Sequence, residues 1–287
     1  PGILSIVRGL EGRLSLHRIK TSDKREIVVE YEAPLSENHP LIIMFHGNKG
    51  HWKDVGAPKE GEKAFERTYR LDLLKDAVHK GAGAMAVSLR GYGLSTGAPS
   101  EKGFGKDVDA VLDFVRDKAG MPARRIIVLG ESLGAAMALK AANKLAERNS
   151  PAAIAVMIAA FSSMADRAHD EHPDMPLSWL RFLLRHPLDN MQALSSFPKR
   201  TKLYIAHPAE DEVTKIEHGR KLAARAKELG LDVTFREIPG GHVTWPAQQV
   251  VGDVLALYEG LQRAQAEKDA GFKDLPVRGL EKPVEKP

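Results

Sequence analysis

Hydrophobic positions along this chain fall into short solid runs separated by longer stretches of helical period. Leu41–Phe45, Ala84–Ser88, Ile126–Leu129, Ala152–Ile158 and Lys202–Ala206 are almost continuously apolar, the pattern of strands buried on both faces. Val233–Ile238 reads as a further strand. Between them, 59–80 (Phe65, Tyr69, Leu71, Leu74, Val78), 104–118, the Ala/Leu-rich stretch after Gly134, 214–229 and 247–265 read as helices. Strands alternating with helices predict an α/β fold: a mostly parallel central sheet with helices on both faces. Two weakly alternating stretches near the start, 12–20 and Glu26–Tyr31, are expected as antiparallel edge strands. Residues 161–198 carry no clean period, but Leu177, Trp179, Leu180, Phe182, Leu183 and Leu184 form a short apolar helix, so this stretch is expected as a cap insertion. The expected domain is 1–268, followed from Asp269 to Pro287 by a charged tail containing prolines.

The organising stretch is Arg125–Ala136. An aliphatic run stops at Gly130, Ser132 follows, and Gly134 opens the Ala/Leu-rich helix. A strand that reverses this sharply into a helix strains the turning residue, and glycines on both sides remove the collisions that side chains would make. Ser132 then projects at the carboxyl edge of the sheet. The backbone N–H of Leu133 points outward at the positive end of the helix. A nucleophile beside an anion site is what acyl transfer requires.

A serine hydroxyl needs a general base, usually a histidine held by a carboxylate. On a sheet of this kind the partners follow in the order serine, acid, histidine, each on a loop at a strand's carboxyl end. Of eleven histidines, two follow Ser132 in such a place: His207 after 202–206, and His242 after Pro239-Gly240-Gly241. His242 is assigned as base, on a glycine-rich turn able to carry it across to the serine. The acid is then expected on the loop after His207, where Glu210, Asp211 and Glu212 compete. A second oxyanion donor is expected from the backbone N–H of Asn48, in the loop His46–Gly50 after the first buried strand.

Composition changes this picture little. A net charge of +4, with no basic cluster, gives no indication of a nucleic-acid partner. The absence of cysteine excludes a disulfide framework, a thiolate zinc site and a cysteine nucleophile. No stretch approaches the roughly 18–20 apolar residues of a membrane span. The chain begins at Pro1, from which a removed upstream segment, signal or anchor among the options, is expected; a cytoplasmic location is favoured.

Five motifs occur in order: His46-Gly47-Asn48, Arg90-Gly91-Tyr92-Gly93-Leu94-Ser95, Gly130-Glu131-Ser132-Leu133-Gly134, His207-Pro208-Ala209-Glu210-Asp211 and Gly241-His242. Across about residues 25–262 the chain resembles the serine α/β-hydrolases, in particular the lipase, esterase and acyl-protein thioesterase-like branch. The resemblance implies the α/β-hydrolase fold and selects Asp211 as the acid. It also implies neither metal nor organic cofactor, and a small-molecule or lipid-like acyl ester or thioester as substrate. Pro208 departs from the family's usual glycine and stiffens the acid loop. A serine peptidase, an acyltransferase, or a non-catalytic binding protein on the same fold are the alternatives.

Three other features are weighed. Gly91/Gly93 fails as a dinucleotide site because its third glycine comes one residue late and no helix follows. His169-Asp170-Glu171-His172 lacks the spacing of a metal pair and reads as a polar cap loop. Arg90 is expected to pair with a helix carboxylate such as Asp107. The 177–184 stripe reads equally as core packing or as a lid meeting acyl chains or a membrane surface.

Overall fold

The structure, a computed structural model, describes residues 14–48, 69–183 and 188–273. Eight strands form one sheet: β1 (Ser15–Lys20), β2 (Glu26–Glu32), β3 (Leu41–Phe45), β4 (Gly83–Ser88), β5 (Ile126–Glu131), β6 (Ile154–Ile158), β7 (Lys202–Pro208) and β8 (Val233–Ile238). The order is β1-β2-β4-β3-β5-β6-β7-β8, with β2 antiparallel to both neighbours and the other pairs parallel. The described helices are α1 (Tyr69–His79), α2 (Glu101–Asp117), α3 (Leu133–Glu147), α4 (Met164–Glu171), α5 (Leu177–Leu183), α6 (Asn190–Ala193), α7 (Ile216–Glu228) and α8 (Ala247–Lys273).

Alternation along the strands divides the core in two. Ile43, Phe45, Met85, Val87 and Val128 pack under α2, α3 and α7 with Val108, Leu139 and Leu222. Ile42, Met44, Ala84, Ala86 and Leu129 face Leu74 of α1 and Val250 of α8. Both faces of the central strands are therefore covered, which is why they read as solid apolar runs.

The connections place the site. From β3 the chain moves outward to β4, then returns to the opposite side of β3 for β5. The chain therefore leaves β3 and β5 for opposite faces of the sheet, and the carboxyl edge between these two strands is where such sheets usually form a ligand crevice. Phe45 and Gly130 are register partners, so the His46–Asn48 loop and the Ser132 turn leave the sheet side by side.

Several expectations are corrected. Of the two stretches expected at the edge only β1 lies there; β2, whose Ile27, Val28 and Val29 are buried, is paired on both sides. Helix α2 begins before 104, because Ser100 Oγ accepts the Gly103 N–H at 3.2 Å and starts the helix there. Within 161–198, α4 escaped the periodicity because Ala165 is its one buried residue. Helix α8 passes 265 and runs to Lys273, into the stretch expected as tail. Residues 59–68 of the expected helix and 274–287 of the tail lie outside the described residues. Arg90 does pair with Asp107, at 2.8 and 2.9 Å, and also with Asp23 at 3.0 and 3.2 Å. These bonds hold Asp23 well below the usual carboxylate range.

Candidate active site

The turn at Ser132 has φ 51° and ψ −114°, a region that costs an L-residue of order 1–3 kcal/mol. The surrounding glycines are obligatory. A Cβ on Gly130 would lie 2.0 Å from the Gly134 carbonyl oxygen, and one on Gly134 would lie 2.0 Å from the Phe45 carbonyl oxygen. Helix α3 therefore presses directly against β3 and β5. The Ser132 N–H donates to the Ile158 carbonyl at 2.9 Å, fixing the turn to β6. Ser132 is half-buried, and Leu133 heads the helix, where the first N–H groups have no partner within the helix.

Asn48 stands across the crevice. Behind it His46 is fully buried, its Nδ1–H donating to the Gly47 carbonyl at 2.7 Å and its Nε2 accepting the Leu89 N–H at 3.2 Å. Tyr92 packs edge-on against His46, with ring centroids 4.8 Å apart, and donates its hydroxyl to Asn48 Oδ1 at 2.5 Å. That bond holds the side-chain carbonyl oxygen of Asn48 toward Tyr92. Lys49 and Gly50 of the same loop lie outside the described residues.

Asp211 and His242 come together from loops after β7 and β8. His242 Nδ1 donates to Asp211 at 2.8 Å (Oδ2) and 3.0 Å (Oδ1), leaving Nε2 directed elsewhere. Asp211 Oδ1 also accepts the N–H groups of Val213 at 2.9 Å and Thr214 at 2.7 Å. Pro208, register partner of Ile238, ends β7 without disturbing this arrangement. Ser132 Oγ makes no hydrogen bond to His242 among the described residues. His242 nevertheless lies within electrostatic reach of the Ser132 turn, since a charge on its ring lowers the pKa of Glu131.

The neighbouring carboxylates are less idle than solvated helix-start residues. Glu210 Oε2 accepts the Gly240 N–H at 3.1 Å, and Glu212 Oε2 accepts the His242 N–H at 3.4 Å. Both tie the acid loop to the histidine loop. His207, the rejected candidate base, is fully buried at the end of β7. Its Nε2–H donates to the Thr214 carbonyl at 2.8 Å, and burial lowers its pKa despite the nearby Asp211 charge. A Cβ on Gly219 would lie 2.6 Å from its Nδ1, so α7 closes over the ring and removes it from catalysis.

Residues missed in the sequence are Glu131, Arg70 and Tyr69. Arg70 forks onto the Glu131 carboxylate at 2.6 and 3.0 Å, and the Tyr69 hydroxyl donates to it at 2.7 Å. The available signal was a charged residue, Glu131, in an otherwise apolar junction of strand and helix. No group of three metal-binding side chains exists among the described residues, and His169 instead contacts the Met175 carbonyl at 3.1 Å. In α5 Leu180 is buried, while Trp179 and Phe182 are 65% and 89% exposed. No described helix is long and apolar enough to cross a membrane.

Comparison with known proteins agrees with this architecture. The model of the alpha/beta hydrolase family matches residues 42–276. The chain is 29% identical over 221 residues to the alpha/beta hydrolase domain-containing protein WAV2 of Arabidopsis thaliana, covering 72% of this chain and 65% of that protein. It is 27% identical over 206 residues to the lysophosphatidylserine lipase ABHD12 of Rattus norvegicus, covering 67% and 46%. The chain thus spans about half to two thirds of the length of these relatives. An alpha-beta hydrolase from Vibrio vulnificus superposes with a TM-score of 0.69 at 19% identity, covering 88% of this chain and 84% of that one.

Proposed function

Because the chain belongs to the alpha/beta hydrolase family, we propose that it is a serine hydrolase of lipid-like carboxylic esters, working through an acyl-enzyme on Ser132. The observation that carries this reading is the strained Ser132 turn, which leaves the sheet beside the Asn48 loop. In the proposed reaction Ser132 Oγ attacks the ester carbonyl carbon and its proton passes to His242 Nε2. Asp211 holds Nδ1–H and compensates the imidazolium charge. The backbone N–H groups of Leu133 and Asn48 donate to the oxyanion. Collapse expels the alcohol, which takes the proton from Nε2, and water then releases the acid by the same steps in reverse roles. The Ser132–His242 hydrogen bond belongs to the substrate complex, since such contacts commonly tighten only there.

A monoacyl glycerophospholipid is the favoured substrate class. Support comes from the name of the ABHD12 relative, a lysophosphatidylserine lipase, and from the exposed Trp179 and Phe182 on the cap, suited to an acyl chain or a lipid surface. The test pairs fluorophosphonate labelling with a panel of p-nitrophenyl esters and lysophospholipids of increasing chain length. Labelling lost in Ser132→Ala, with turnover highest on long monoacyl chains, is expected. Labelling that persists in Ser132→Ala would sink the assignment of the nucleophile, and a preference for acetyl esters would remove the lipid reading.

A further inference from the structure

We propose that the buried Arg70–Glu131 ion pair, with the Tyr69 hydroxyl, is a positioning device that locks the nucleophile turn, the oxyanion loop and the histidine loop to one another. The inference rests on the hydrolase reading above.

Glu131 directly precedes Ser132 and is 1% exposed, and Arg70 is 6% exposed. Arg70 Nε donates to Oε2 and Nη2 to Oε1, a two-point fork that fixes the plane of the carboxylate. The pair also touches the second loop. A Cβ on Gly47 would lie 2.9 Å from Glu131 Oε1 and 3.2 Å from Arg70 Nη2, so the pair rests on the residue before Asn48. Tyr69 extends the contact to the third loop. Its ring meets Trp245 edge-on at 5.1 Å, and Trp245 is a buried residue three positions beyond His242. One cluster on the first turn of α1 therefore reaches three of the four loops that carry proposed catalytic groups, all but the loop of Asp211.

Packing alone gives no reason for charge here. The register partner of Glu131 is Ile158, and an apolar side chain would avoid the desolvation that buried ions suffer. What the pair supplies is direction. Several donors hold one carboxylate, and through it the backbone at 131 and 47, against the relaxation that a strained turn otherwise favours. Burial works against the charge on Glu131, but the Arg70 charge, the bonds from Arg70 and Tyr69, and the His242 charge outweigh it and hold the carboxyl below its ordinary range. Among the described residues the titratable groups facing His242 are Asp211 at Nδ1, Glu212 at its N–H, Glu131 from the nucleophile turn, and His207, kept neutral by burial, behind Asp211. An ionised Glu131 thus favours the imidazolium formed as Ser132 gives up its proton.

The test combines Arg70→Met with Glu131→Gln, which removes both charges so that neither is stranded in the interior. The double variant is expected to lose about a hundredfold in kcat on a p-nitrophenyl ester, the scale of a small misplacement of reacting groups, with KM little changed. Fluorophosphonate labelling should slow in parallel. Hydrogen exchange should rise in peptides covering 46–48, 131–133 and 242–245 while β6 stays protected. Arg70→Lys keeps the charge without the fork and should retain part of the rate that the double variant loses. In Glu131→Gln the acid limb of the kcat profile should change position, which a space-filling role would not cause. Wild-type kcat and exchange in the folded double variant overturn the proposal, as does a loss of protection spread evenly over the sheet. If the unsubstituted protein neither labels nor turns over, the hydrolase reading fails, and the exchange pattern still decides the role of the pair.

Discussion

Two Ser–His–Asp sets lie among the described residues, and the one with the better hydrogen bonds is not the one proposed for catalysis. Ser162 Oγ lies 2.8 Å from His218 Nδ1, and His218 Nε2 lies 2.8 Å from Asp170. In the set proposed for catalysis only the His242–Asp211 link is made. The backbone separates them. Ser162 is fully buried and has no positive φ, whereas Ser132 is half-buried at φ 51° with a helix N-terminus beside it. The donors differ too. His218 Nδ1 accepts the Ser162 N–H at 3.1 Å, so the ring's proton sits on Nε2 toward Asp170, and the Ser162 hydroxyl also meets Asp166 Oδ2 at 2.5 Å. Such a set ties helix α4 to helix α7. A nucleophile requires exposure and a strained turn, and Ser162 has neither.

Breaking each set should therefore give opposite signatures. Ser132→Ala should reduce ester turnover by at least about 10⁴-fold without changing the denaturation midpoint, whereas Ser162→Ala should retain turnover. Steady-state kinetics and urea titration on both variants check this, and equal losses would erase the distinction. Asp211→Asn should cost about 10⁴-fold, because an amide stabilises the wrong histidine tautomer. Asp170→Asn in the same assay should stay near the unsubstituted rate.

Stability should separate the sets in the other direction. Burial disfavours the charge on Asp170, but the hydrogen bond from His218 and the nearby Lys215 charge outweigh it and hold the carboxyl low. His218→Ala strands the Ser162 N–H, and should destabilise the fold by about 1–3 kcal/mol in urea titration while leaving kcat unchanged. A kcat loss exceeding the change in folded fraction would return the second set to the catalytic problem.

The smallest effect concerns His207, which burial keeps neutral with a pKa below 6.5. The unfolded chain takes up its proton first as the pH falls, so the stability present above about 6.5 is lost as the pH drops toward the lowered native value. The slope should reach up to about 1.4 kcal/mol per pH unit for this one proton. Urea midpoints measured between pH 7 and 5 should show the loss in the unsubstituted protein. In His207→Asn this contribution should be missing, and an unchanged slope there would assign it to another group.

Much of the site was legible because its demands are local. A nucleophile turn needs small residues within two positions of the serine, and Gly130 and Gly134 stand there with no room for a Cβ. The solid runs 41–45 and 126–129 announced strands covered on both faces, since nothing polar could be tolerated there. Order along the chain led to His242 and to the loop of Glu210, Asp211 and Glu212, and the family resemblance selected Asp211, which the structure brings into contact with His242. Helix α4 was not legible, because with one buried residue it leaves no period to read. The role of Glu210 and Glu212 was equally hidden, since their bonds are to backbone N–H groups 30 residues away.

The amino-acid sequence by itself determined the alternation of buried strands and helices, the strained serine turn and the residue types around it, because each follows from sterics and period over a few neighbouring positions. Tertiary structure alone decided that Ser162, His218 and Asp170 meet, that β2 lies inside the sheet, and that Arg70 and Glu131, 61 positions apart, share one buried ion pair. These depend on which loops the sheet order brings side by side, and on how burial makes a distant charge the only affordable partner for another.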